Sequence, residues 1–177
     1  MRVASVGWLA KGLDEVDRLA EHQSAVSHDH PDAVAASRAI ARSVFLLRRG
    51  ESVRMVREML TRDFSYDLSW LAMIQRPEFD ISAKGTAQTA LMIALEATDF
   101  EGAIREAALL GGDTDTLACI VGAVAEAVHS VPDDIARQTK QRLPGDLLTV
   151  IEHFNAHIRD QILLNATTDT TVEEPSN

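Results

Sequence analysis

Leu117, Ile120, Val121, Val124, Ala125 and Val128 fall at i, i+3, i+4, i+7, i+8 and i+11. That spacing gathers apolar side chains on one face of an α-helix, whereas a strand would scatter them over two faces. Ala118, Gly122 and Ala125 add a strip of small residues to the same segment, so a neighbouring helix can approach closely. No stretch alternates apolar and polar residues, as a half-buried strand would, for more than a few positions. Aromatic residues make up 5% of the chain while alanine is abundant, which favours close helix packing over a sheet sandwich. The pattern predicts an all-α, compact multi-helix bundle.

Other helices announce their ends. Pro31 suits a first turn, where its missing N–H has no partner to lose. Val34, Ala41, Val44 and Leu47 trace an apolar stripe from it, Arg38, Arg42 and Arg49 mark another face, and Gly50 supplies a stop. Ser52 is placed to cap a helix carrying Val53, Val56 and Leu60, and a further helix runs from Thr86 to Ala97. Thr98-Asp99-Phe100-Glu101 reads as a capping box opening a helix that stops at Gly111-Gly112. Beyond Pro132, helices are expected around Ile135 and from Leu147 to Leu164.

With 177 residues, 46% apolar and 25% charged, the chain has the length and balance of one soluble domain. That domain is expected over residues 1–165. Residues 166–177, rich in Thr, Asp, Glu, Pro and Ser, are expected to form a disordered tail. A net charge of −10 argues against a general nucleic-acid binder, since phosphate contacts need a basic surface. The single cysteine, Cys119, cannot pair internally, which points to a reducing compartment. No secretory-signal pattern opens the chain, and no apolar run approaches the ~18 residues of a membrane span. The expectation is a cytoplasmic protein that neither enters a membrane nor binds nucleic acid.

The chemistry concentrates at Gly111-Gly112-Asp113-Thr114-Asp115-Thr116, just ahead of the apolar stripe. Two readings stand. In one, the glycines end a helix and Asp113 or Asp115 caps the next by accepting from backbone N–H groups. In the other, Asp113, Asp115 and Thr116 hold a metal. Their donors are all oxygen, which suits Mg²⁺ or Mn²⁺ rather than zinc. A turn entering a helix lets residues at i, i+2 and i+3 converge. Position 6 counted from Asp113 is Ala118 and position 12 is Val124, so the segment is not an EF-hand loop. Three ligands leave an octahedral shell incomplete.

Gly-Gly-Asp-Thr-Asp-Thr followed by an Ala/Gly-rich helix resembles the C-terminal metal motif of the ADP-ribosylglycohydrolase family, whose members include the glycohydrolase that reactivates dinitrogenase reductase. Ser27-His28-Asp29-His30-Pro31 is similar to the family's Thr-His-x-x-Pro segment. Val3-Ala4-Ser5-Val6-Gly7-Trp8 resembles the stretch after its glycine-rich substrate loop, and Phe79-Asp80 through Thr98-Asp99-Phe100 follow in order. The resemblance covers roughly residues 1 to 160. It implies an all-α fold and hydrolysis of ADP-ribose linkages with a pair of Mg²⁺ or Mn²⁺ ions. It also implies Asp113 and Asp115 as catalytic residues, with Asp113, Asp115 and Thr116 as metal ligands. His28, Gly111 and Gly112 would contact ADP-ribose or an ADP-ribosylated protein.

The family's Thr-Asp-Asp-Thr motif, early glutamate and Gly-rich loop have no counterpart here. Asp14-Glu15 and Asp63 are no substitutes. On this reading the chain corresponds to the C-terminal two-thirds of a member, lacks the N-terminal helices of the bundle, and has an incomplete second metal site. Catalysis by the chain alone is then expected to be impaired, with a partner chain or self-association covering the missing part. The alternatives are an ADP-ribose-binding protein without catalysis, and a helical interaction protein.

Other residues carry weaker signals. His153 and His157 have a zinc-compatible spacing, but His-Phe-Asn-Ala-His lacks the metalloprotease glutamate, and surface histidines are the preferred reading. His30 reads as a residue that starts a helix, and Cys119 as buried packing. The arginine face reads as solvated rather than diphosphate-binding, and Trp8 as an anchor rather than an adenine platform.

Overall fold

The computed structural model describes residues 1–69, 71 and 80–169, with side chains to residue 162 in the last helix. The described residues contain nine α-helices and no strand. They are α1 Ala4–Leu9, α2 Leu13–Ala25, α3 Pro31–Arg48, α4 Val53–Phe64, α5 Ala83–Glu96, α6 Phe100–Leu110, α7 Thr114–Val128, α8 Asp133–Lys140 and α9 Gly145–Asp169. The all-α bundle is as expected; its lack of N-terminal helices is not. Residues 4–64 fold into α1 to α4, and α1, α2 and α4 pack on α3. Phe79 and the tail positions 170–177 lie outside the described residues.

Two compact units divide at Pro132. The first holds α1 to α7, with α3 and α5 at its centre. Helix α3 packs against α1, α2, α4, α5 and α7, while α5 packs against α3, α6 and α7. Local sequence explains the helix starts. His30 is the N-cap of α3, its Nδ1 accepting from the Asp32 amide at 3.2 Å. Ser52 Oγ accepts from Met55 N at 3.2 Å and Ser82 Oγ from Gly85 N at 3.0 Å. Replacing Ser52 with alanine strands that amide, a loss of about 1 kcal/mol. Thermal melts of Ser52→Ala should therefore show a midpoint about 2–4 °C below wild type.

The core follows the predicted stripe. Leu117, Ile120, Val121, Val124 and Ala125 are buried, and Val128 packs against them half-buried. A large aliphatic side chain buried in this way contributes about 1.5–3 kcal/mol. The small-residue strip works as read: a Cβ added at Gly122 would lie 3.1 Å from Ile104 Cδ1 of α6. In α3, Ala41, Val44 and Leu47 are buried while Val34 is only half-buried.

The arginines of α3 clamp neighbouring helices. Arg42 Nε donates to Asp17 Oδ1 of α2 at 2.7 Å, and its Nη1 donates to Asp63 Oδ2 of α4 at 3.0 Å. Arg62, then Arg42, hold the Asp63 carboxyl below its ordinary range. Arg38 pairs with Glu21, and Arg48 Nε donates to Gly7 O at 2.7 Å while lying over the Trp8 ring. Trp8 therefore anchors α1 on α3.

The second unit holds α8 and α9. Among the described residues, no helix is long and apolar enough to cross a membrane.

Candidate functional site

The turn between α6 and α7 is built by its glycines. Gly111 has φ +83° and Gly112 φ +72°, backbone conformations that L side chains rarely adopt. Two such residues in succession end α6 at Leu110 and swing Asp113 into the N-cap position of α7. Asp113 Oδ1 accepts from the Thr116 amide at 3.4 Å. The capping reading is thus realised, and it occupies one of the roughly four lone-pair sites on that carboxylate.

Hydrogen bonds with the Asp115 carboxyl, and with the Thr116 side chain and amide, hold Asp113 below the usual carboxylate range. Asp113 and Asp115 are exposed and Thr116 is half-buried. Asp113, Asp115 and the Thr116 hydroxyl offer oxygen donors only, the type that could hold one Mg²⁺ or Mn²⁺. No group of three His, Cys, Asp or Glu side chains arranged for a metal occurs among the described residues.

Asp113 and Thr116 line a cleft of about 410 Å³, within the usual range of about 300–1,000 Å³ for small-molecule sites. His28 lines it too, brought from the α2–α3 connection, together with Arg2, Gln23, Ser24, Ser37 and Thr86. Asp115, Gly111 and Gly112 belong to the adjoining turn and do not line it. Apolar walls come from Val3, Ile40, Ile81 and Ile120, among others.

The His28 main chain is pinned to the end of α2, its amide donating to Ser24 O at 2.8 Å and its carbonyl accepting from Ser24 Oγ at 3.2 Å. A groove of about 480 Å³ between α8 and α9 is lined by Asp133, Ala136, Arg137, Lys140, Gln141 and Leu148. It holds none of the clustered oxygen donors of the turn.

Residues 1–168 match the sequence profile of the family described as ADP-ribosylglycohydrolase. The chain belongs to that family. No curated protein matches it. The extent of the match overturns the expectation of a C-terminal two-thirds fragment, because it runs over nearly the whole chain from residue 1. The helices α1 to α4 are part of the matched region, so the bundle is not short of its N-terminal helices.

Several other readings meet a definite outcome. Cys119 is exposed rather than packed in the core, because it sits away from the stripe through Leu117, Ile120 and Val121. His30 caps α3, as its position before Pro31 suggested. His157 Nε2 contacts Gln161 Nε2 at 2.9 Å. Sequence reasoning missed Arg2, Gln23, Ser24, Ser37 and Thr86 as cleft residues. None sits in a motif, and only the packing of α2, α3 and α5 brings them together.

Proposed function

We propose that this member of the ADP-ribosylglycohydrolase family binds ADP-ribose or an ADP-ribosylated protein in the cleft and hydrolyses the ribose linkage with a divalent cation, at a reduced rate. The observation that carries the reading is convergence. His28 in the α2–α3 connection, and Asp113 and Thr116 at the start of α7, are far apart in the chain and line one cleft.

Asp113 and Asp115 would hold Mg²⁺ or Mn²⁺, with the Thr116 hydroxyl as a third donor. Such a cation, when bound, supplies Lewis acidity and a charge that orients hydroxyl groups. Hydrogen bonds with Asp115 and Thr116 favour the ionised form of Asp113. An ionised carboxylate there can also stabilise the positive character that grows at the anomeric carbon as the leaving group departs. His28 would position the ribose. Gly111 and Gly112, free of side chains, leave the backbone open to a ligand; a Cβ at Gly111 would meet nothing within 4 Å.

The reduced rate follows from a donor set of only two carboxylates among the described residues. The same observation favours a second reading, binding without turnover. Both are tested by incubating the chain with an ADP-ribosyl-arginine peptide and Mn²⁺ while measuring ADP-ribose binding by calorimetry. The expected result is binding together with slow release of ADP-ribose that EDTA abolishes. Binding with no metal-dependent release supports the second reading, and absence of both overturns the two together.

A further inference from the structure

We propose that Ser27 and Arg2 are positioning residues that fix the tautomer of His28, leaving its proton on Nε2 so that the ring offers an N–H donor to the cleft. Ser27 Oγ lies 2.8 Å from His28 Nδ1, and the Arg2 guanidinium hydrogen-bonds the same Ser27 Oγ. The direction of these bonds follows from what each group can do. A guanidinium has donors only, so Ser27 Oγ must accept from Arg2.

Accepting from a cation polarises the hydroxyl and makes its own hydrogen a better donor. The acceptor within reach is Nδ1. A neutral imidazole accepts at one nitrogen and donates at the other, so a lone pair on Nδ1 places the proton on Nε2.

The surroundings hold the arrangement in place. The His28 main chain is tied to Ser24 at both its amide and its carbonyl, so the ring has little freedom beyond its own torsions. Arg2 forms no ion pair among the described residues, and its charge remains directed at the hydroxyl. Both Arg2 and His28 line the cleft. A donor at Nε2 suits an acceptor oxygen of the ligand, a ribose hydroxyl or a phosphate oxygen alike. This role rests on the proposed function, in which His28 touches ADP-ribose; the tautomer itself does not.

Long-range ¹H–¹⁵N correlation spectra of the labelled chain at alkaline pH read which ring nitrogen carries the proton. Wild type should show a protonated Nε2 and a bare Nδ1 for His28. Ser27→Ala and Arg2→Gln should shift both nitrogens toward a tautomer average, and Ser27→Thr should restore the wild-type pattern. ADP-ribose should bind Ser27→Ala about threefold to tenfold more weakly, the net worth of one hydrogen bond.

A proton on Nδ1 in wild type, or unchanged nitrogen shifts in Ser27→Ala, would overturn the relay. The spectra need no ligand. Failure of wild type to bind ADP-ribose would therefore strike the proposed function alone and leave the tautomer result standing.

Discussion

Titration of Mn²⁺ into Asp113→Asn and Asp115→Asn chains is expected to give affinities weaker than wild type by at least the roughly 10–100-fold that loss of an outer-shell partner costs a metal site. Each change removes one charged oxygen and keeps the side-chain shape. The fold should tolerate both. Asparagine caps a helix about as well as aspartate, so Asp113→Asn retains an acceptor for the Thr116 amide, now 3.4 Å away. Asp115 lies in the first turn of α7, where loss of its charge costs about 0.3–1 kcal/mol of helix-dipole interaction.

Melting curves close to wild type, combined with lost Mn²⁺ binding and lost metal-dependent release of ADP-ribose, would separate the cation role from the capping role. Unchanged calorimetric affinity in both variants would reduce the two aspartates to ornaments of a helix start.

How far the sequence leads depends on how local the determining physics is. The α7 stripe is legible because five of its six members are buried on one face, and no partner is needed to recognise a 3.6-residue period. The Gly111-Gly112 stop is legible because both residues need positive φ.

Helix α2 hides its period. Its buried positions are Val16, Ala20 and Ser24, and a buried serine breaks the apolar pattern at the place where it ties down His28. Helix α1 has only six residues and contains a glycine, so propensity argues against it and packing on α3 makes it. Thr98 was one position too early: Asp99 is the N-cap of α6, accepting from Gly102 N at 2.7 Å, while Glu101 pairs with Arg105 instead of reaching back to the cap.

In the candidate site, the acidic turn is local and readable. The contact of Arg2 with Ser27 and the cleft positions of Ser37 and Thr86 exist only once the helices are assembled.

Gly7→Val is expected to destabilise the chain by about 2–3 kcal/mol, the upper part of the overpacking range, and to lower the melting midpoint by about 4–12 °C. A Cβ at Gly7 would stand 2.7 Å from Val44 Cβ and 2.8 Å from Ala41 O, closer than such atoms approach. Neither neighbour can retreat. Val44 is fully buried, and Ala41 O belongs to the backbone of α3, the helix against which five others pack.

Helix propensity favours valine over glycine by only a few tenths of a kcal/mol, too little to offset the clash. The remaining route is for α1 to lift off α3, which stretches the 2.7 Å bond from Arg48 Nε to Gly7 O and moves Val3 and Arg2 at the cleft wall. Weaker ADP-ribose binding should therefore accompany the lower midpoint. Gly145→Ala is the control, since an added Cβ meets nothing there within 4 Å and alanine is the better helix former. A wild-type melting curve for Gly7→Val would mean that α1 does not pack on α3 through this glycine.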